Sequence, residues 1–139
     1  NLQVRGQCTS AEMVELYRSA HLYLNTSRWE GLSLAALEAA ATGLPLLLRD
    51  CPGNRELVRQ LPDAESFGDV EEAARAIARR LPPGSPALPA NSTNAAAVAA
   101  GYSAERLRQR LQDTYDGLLT ERSRRGQQTL PFGGWIRGW

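Results

Sequence analysis

Residues 21–49 read HLYLNTSRWEGLSLAALEAAATGLPLLLR, and the change of texture along them decides the fold. HLYLNTS (21–27) reads as a strand. Leu32–Thr42 is small or apolar except at Glu38 and reads as a buried helix with Gly43 as its C-cap. PLLLR (45–49) is a short apolar run and reads as the next strand. A strand, a crossover helix and a second strand joined by short turns make a βαβ unit, which implies parallel pairing.

The same alternation continues on both sides. LQVRG (2–6) reads as a short strand, and Thr9 or Ser10 caps a helix over Ala11–Ala20 with Glu12 in its first turn. Met13, Leu16, Tyr17 and Ala20 form its apolar stripe. Downstream, CPGN (51–54) reads as a turn, with Asn54 capping a short helix that runs to Leu61. Residues 2–61 therefore predict an α/β, Rossmann-like parallel sheet of three or four strands with helices on both faces. ESFGDV (65–70) reads as an extended connection. EEAARAIARRL (71–81) reads as an amphipathic helix with Ala74, Ile77, Ala78 and Leu81 on one side. The other face, with Glu71, Glu72, Arg75, Arg79 and Arg80, reads as solvated, with Glu71 and Arg75 in i,i+4 register. A loop follows over 82–93, then a weak helical turn at 95–100. A second strong helix spans Ser103–Arg122, with Leu107, Leu111, Tyr115 and Leu118/Leu119 as its stripe. The domain boundaries expected are 1–122 for the α/β part and 123–139 for an Arg/Gly/Trp tail.

Bulk properties narrow the function classes. At 139 residues, with 42% hydrophobic and 22% charged residues, the chain can build one core. A net charge of +1 gives no reason to expect a nucleic-acid partner. All 16 basic residues are Arg, which removes P-loop-lysine and Schiff-base chemistry. Cys8 and Cys51 form no CxxC and read as reduced thiols. No run approaches a membrane span, no Asp-x-Asp suggests a metal, and His21 has no catalytic or metal partner at recognisable spacing. The first residue, Asn1, suggests a piece of a longer chain.

The chemistry concentrates where the first strand hands over to its helix. A polar loop, Thr26 to Glu30, leaves the strand, passes Gly31 and enters the helix. In open parallel sheets, ligands bind at the carboxyl ends of strands against helix N-termini. Amides of Gly31, Leu32 and Ser33 would face an anion there. Glu30 and Glu38 are eight residues apart, about 12 Å along a helix. That distance is comparable with the span from a hexose to a ribose across a diphosphate, and carboxylates accept hydrogen bonds from hydroxyls. A buried Glu38 needs a partner. Two plainer readings stand beside this one: Glu38 ion-paired with an Arg, and Glu30 a first-turn acid favoured by the helix dipole.

From Val4 to about Leu119 the sequence resembles the C-terminal, donor-binding domain of retaining GT-B glycosyltransferases. That family includes glycogen synthase, sucrose synthase and bacterial polysaccharide mannosyl- and glucosyltransferases. TSRWEGLSLAALEAAATGLPLLLRDCPGNREL (26–57) is similar to the family's E-x7-E signature, with Glu30 and Glu38 as its acids. GLP (43–45), Asp50 to Gly53 as D-x-x-G, and Glu56 fall at matching places, and YSAERLRQRLQDTYDGLL (102–119) is similar to the closing helix. The resemblance implies that Glu30 is the catalytic-site acid beside the transferred sugar. It also implies that Gly31, Leu32 and Ser33 contact the diphosphate and that Glu38 holds the ribose. RGQC (5–8) resembles the loop against the base, which makes Gly6, Gln7 and Cys8 further donor-binding candidates. The family often carries Gly or Pro where Ser33 stands, and Ser is an acceptable, minor departure there.

The implied reaction moves a hexose from a nucleotide diphosphate sugar to a glycan or lipid-linked acceptor with retention, using no cofactor and no metal. The Arg- and Lys-bearing βαβ unit that opens the family's donor domain has no match here, nor has its N-terminal acceptor domain, so the chain alone is expected to be inactive. Two other classes stay open: a sugar-nucleotide epimerase of GT-B architecture, and a non-catalytic nucleotide-sugar-binding module. The expected location is cytoplasmic. Arg122, Arg124 and Arg125 with Phe132, Trp135, Ile136 and Trp139 allow peripheral docking on the inner membrane face, against the simpler reading of a flexible tail.

Overall fold

Three consecutive leucines organise the sheet. In the computed structural model, which describes residues 2–82, 84 and 93–127 (side chains to 124), Leu46, Leu47 and Leu48 are fully buried. They form the central strand β2 (Leu46–Arg49) between β1 (Tyr23–Asn25) and β3 (Ala64–Phe67). Both pairings are parallel, with Leu24 opposite Leu47 and Leu47 opposite Glu65. A strand buried on both faces has no polar side to show, hence the unbroken run of leucine.

Helix α1 (Ser10–Ser19) precedes β1, α2 (Leu34–Ala41) joins β1 to β2, and α3 (Pro52–Gln60) joins β2 to β3. Right-handed crossovers between sequential parallel strands place α2 and α3 on one face. Helix α4 (Val70–Arg80) covers the other, where Leu47, Phe67, Ala73 and Ala76 pack together with Leu22 and Ile77 against them. The α/β architecture with helices on both faces of a parallel sheet is therefore as expected.

Local signals explain most element ends. Thr9 and Glu12 form a reciprocal capping box at the start of α1. Asp69 accepts from Glu72 N at 2.8 Å to start α4. Gly43 follows α2 at φ 85°, the left-handed conformation that terminates a helix most cheaply with glycine.

Several expectations are corrected. Residues 2–6 form no strand; Leu2 and Val4 are 91% and 88% exposed, and apolar alternation without a neighbouring strand to pair with leaves nothing to hold it. The segment at 65–70 is not merely a connection, because Ala64–Phe67 forms the third strand. Asn54 is not the cap of α3: Cys51 is the N-cap, and Pro52, with φ pre-set and no N–H to satisfy, opens the helix ahead of it. Helix α4 buries Ala73 and Ala76, while Ala74 and Ala78 face solvent. Arg79 and Arg80 are not simply solvated, since both reach Glu65, and Arg80 also binds Asp63 at 3.0 Å. Their guanidinium groups, Arg79 first, hold the Glu65 carboxyl below its usual range.

Helix α5 (Asn94–Tyr102) opens on a buried anchor. Asn94 is wholly buried, accepts from Asp63 N at 2.9 Å and donates to Leu44 O and Asp63 O, both at 3.2 Å. It thus ties together the segments that enter β2 and β3.

The chain divides into two units, Asn1–Gly101 and Tyr102–Trp139. The second contains α6 (Ala104–Gln127), which Ser103 caps by accepting from Arg106 N at 3.2 Å. Its stripe residues Leu107, Leu111, Tyr115, Leu118 and Leu119 are 50–64% exposed. Residues 128–139, and with them the aromatic part of the expected tail, lie outside the described residues, as does most of the expected 82–93 loop.

Candidate functional site

The segment between β1 and α2, residues 26–33, is wrapped around one buried side chain. Asn25 ends β1, is 8% exposed, and bonds in three directions. Its Oδ1 accepts from Ser27 N at 2.9 Å. Its Nδ2 donates to Glu30 Oε1 at 3.2 Å and lies 3.5 Å from Ser33 Oγ. Ser33 is the buried N-cap of α2 and accepts from Ala36 N at 3.4 Å. Sequence pattern explains the burial: Leu24 and Asn25 point to opposite faces, and the inward position at the strand end carries an amide instead of an apolar group.

The second βα junction presses on the first. Gly53, in the first turn of α3, donates its N–H to Glu30 O at 3.2 Å. A Cβ on Gly53 would lie 2.0 Å from Gly31 O and 2.5 Å from Glu30 O, so only glycine allows this approach. Beside it Asn54 is fully buried and donates to Arg49 O at 2.9 Å; its Oδ1 has no partner among the described residues. The Glu30 carboxylate is thus held through Asn25, and the Glu30 backbone through Gly53.

Glu30 is half-buried, Gly31 and Leu32 are exposed, and Ser33 is buried. No described residue accepts from the N–H groups of Gly31, Leu32 or Ser33, so these three amides are free at the head of α2. Trp29, next to Glu30, is 78% exposed.

Glu38 is not buried, which corrects the expectation for the middle of α2. The helix buries Ala36, Leu37, Ala39 and Ala40 and turns Glu38 to solvent, so the carboxylate carries no burial penalty. It lines a cleft of about 460 Å³ between α1 and α2, with Cys8, Ser10, Met13, Tyr17 and Thr42 among its walls. Burial first, and then the Glu38 charge, push the Tyr17 hydroxyl above its ordinary value. Tyr17 also meets Tyr23 edge-on at 6.2 Å.

The helical ruler from Glu30 to Glu38 does not apply as drawn. Glu30 lies in the loop, and regular helix begins only at Leu34, because the Ser33 side chain caps it there. Of the candidates on the 5–8 loop, Cys8 reaches the Glu38 cleft, whereas Gly6 and Gln7 are exposed outside any element and are not among its walls. The site therefore has two parts along α2: Glu30, the free amides and Ser33 at its head, Glu38 and Cys8 along its flank.

Sequence reading missed Asn25 and the role of Gly53. A lone polar residue closing an apolar strand was the available sign of the first, and the glycine of D-x-x-G the sign of the second. Among the described residues, no group of His, Cys, Asp and Glu could hold a metal, and no helix is long and apolar enough to cross a membrane.

Comparison with known proteins agrees with this geometry at the level of the family. No curated protein and no solved structure matches the chain. The family model described as glycosyl transferases group 1 matches residues 1–82, more than half of the chain and every element of the site, and the chain belongs to that family.

Proposed function

We propose that this chain is the donor-binding part of a retaining GT-B glycosyltransferase, transferring a hexose from a nucleotide diphosphate sugar to a glycan or lipid-linked acceptor. A group 1 glycosyltransferase works between a nucleotide-sugar donor and an acceptor. The observation that carries the finer reading is the division of the site along α2. Three unengaged amides at the head of the helix can receive a diphosphate, where the helix dipole favours negative charge. Glu30, oriented by Asn25, stands on one side of them, as an acceptor for hydroxyls of the transferred sugar needs to. Along the helix flank, the cleft shared by Glu38 and Cys8 offers a carboxylate to ribose hydroxyls and an apolar wall to a base.

Chemically, this chain's share of the reaction is positioning and leaving-group stabilisation. Amides aimed at the diphosphate gain strength as charge develops on it during cleavage of the sugar–phosphate bond. Glu30 fixes the sugar ring so that the anomeric carbon faces the acceptor. In this reading the acceptor site belongs to the acceptor domain, and further phosphate-neutralising cations to the opening βαβ unit of the donor domain.

The test is a thermal-shift screen of nucleoside diphosphates and their sugars on the full-length protein. One donor should raise the melting temperature in proportion to the logarithm of its concentration, and Glu38→Ala should abolish that rise. Donor transfer that persists unchanged in Glu38→Ala, with folding impaired instead, would make the acid structural and sink this assignment.

A further inference from the structure

Asn25 occupies a place in the site that neither the family match nor the sequence motif assigns. It is buried at the carboxyl end of β1, and one amide group meets both ends of the loop it precedes. Its Oδ1 takes Ser27 N at 2.9 Å, which turns the chain out of the strand. Its Nδ2 faces Glu30 Oε1 at 3.2 Å and Ser33 Oγ at 3.5 Å. A neutral donor suits this spot. An Asp would set two carboxylates against each other, and an apolar residue would leave Ser27 N and Glu30 without their partner. The backbone of Glu30 is separately fixed through Gly53. The side chain keeps rotational freedom that the Asn25 hydrogen bond to the carboxylate removes.

We propose that Asn25 is the positioning residue for Glu30: it holds the carboxylate in the rotamer that faces the transferred sugar, and through Ser33 it couples that rotamer to the head of α2. This rests on the reading of Glu30 as the sugar-side acid. Asn25 touches no substrate in this account; it acts through Glu30, and its removal shows in turnover more than in donor binding, since the free amides and the Glu38 cleft stay in place.

The experiment is a double-mutant cycle in the full-length enzyme, with transfer kinetics on its identified donor and Asn25→Ala, Glu30→Gln and the double variant. Glu30→Gln should lower kcat by about 100-fold or more, as expected for a group realised in the transition state. Asn25→Ala should lower kcat by about 10-fold with donor KM within about threefold, because misplacement by a fraction of an ångström is costly at a reacting centre. In the Glu30→Gln background, Asn25→Ala should change kcat by less than about twofold, since the carboxylate it positions is gone. An equal loss from Asn25→Ala in both backgrounds, or wild-type kcat in Asn25→Ala alone, overturns the proposal while leaving the role of Glu30 intact. Wild-type turnover in Glu30→Gln overturns the underlying site reading and the proposal with it. Should Asn25→Ala not fold, Asn25→Asp takes its place, being equal in size and keeping the acceptor for Ser27 N. Its like-charge pair should cost more than about 10-fold against Glu30 and under about twofold in the Glu30→Gln background, and the same two outcomes decide.

Discussion

The two βα junctions of this sheet are built on the same plan and used in opposite ways. Between β1 and α2 the chain takes eight residues, Thr26 to Ser33; between β2 and α3 it takes two, Asp50 and Cys51. The long junction has a side-chain cap at Ser33, free amides and an exposed Trp29. The short one has no side-chain cap, opens on Pro52, and buries Cys51, Gly53 and Asn54. One junction leaves amides unengaged at its surface, and the other serves as the wall behind it. The contact between them is backbone to backbone, from Gly53 to Glu30 and Gly31. A loop rich in polar groups with few internal bonds needs such an outside brace to hold a defined shape.

Breaking that contact should have the largest effect. Gly53→Ala puts a Cβ at 2.0 Å from a backbone oxygen, which no flexible side chain can relieve, so α3 or the Glu30–Gly31 loop must move. We expect a loss of about 3 kcal/mol in urea unfolding, together with loss of donor-induced stabilisation. Wild-type stability and donor response in Gly53→Ala would show that the two junctions are mechanically independent.

The opposite end of the sheet provides the control. Asn94→Ala removes three bonds to Leu44 and Asp63, which lie at the entries of β2 and β3, away from both junctions. Leaving buried backbone groups unpaired should cost about 2 kcal/mol. The donor dissociation constant, measured below the unfolding transition, should stay within about twofold of wild type. Weakened donor binding at full folding would mean that strand entry and site are coupled through β2.

The difference between the junctions also shows what could be read from sequence. The long one was legible in outline, because Gly31, Ser33 and the apolar run after them are local signals for a helix start. Its supports were not. Asn25 and Glu30 are five residues apart along a loop with no periodicity, and Gly53 meets Glu30 across 23 positions. Asn94 lies still farther from its partner Leu44. Packing across such separations leaves no trace in propensity or hydrophobic period. The 2–6 segment and β3 show the converse. Leu2, Val4 and their neighbours have the alternation of a strand but no partner strand among the described residues, whereas Ala64–Phe67 has a charged, short sequence made into a strand by β2 on one side and Arg79 and Arg80 beside it. Pairing, which is non-local, outranked local pattern in both cases. Glu38 was misjudged for a related reason: on a helix of alanines the surrounding composition does not say which narrow face meets solvent.

A smaller effect sharpens the comparison at the caps. Ser33→Ala should cost about 1 kcal/mol, the ordinary value of an N-cap hydroxyl, because Ala36 N loses its acceptor. It should also loosen Asn25 Nδ2, whose second contact it removes. If the cap matters only to the helix, donor affinity will follow stability and recover fully on cooling. A persistent affinity loss in the fully folded variant would place the Ser33 hydroxyl within the site.

The smallest effect belongs to the short junction, where Asp50 takes a bidentate grip from Arg55, Nε to Oδ1 at 2.6 Å and Nη2 to Oδ2 at 3.0 Å. The pair is exposed, so its contribution is modest and screened by salt. Arg55 holds the Asp50 carboxyl below its usual range, chiefly through these hydrogen bonds. A carboxyl depressed on folding adds stability that is fully present above its unfolded value, near pH 4, and is lost as the pH falls through its folded value. The melting-temperature difference between wild type and Asp50→Asn should therefore be constant from neutral pH down to about pH 5, then shrink toward zero on further acidification. Added salt should reduce it at neutral pH. A gap that survives unchanged at acid pH would mean that the junction values the shape of Asp50 and not its charge. The β2–α3 turn would then be braced by Pro52, Gly53 and Asn54 alone.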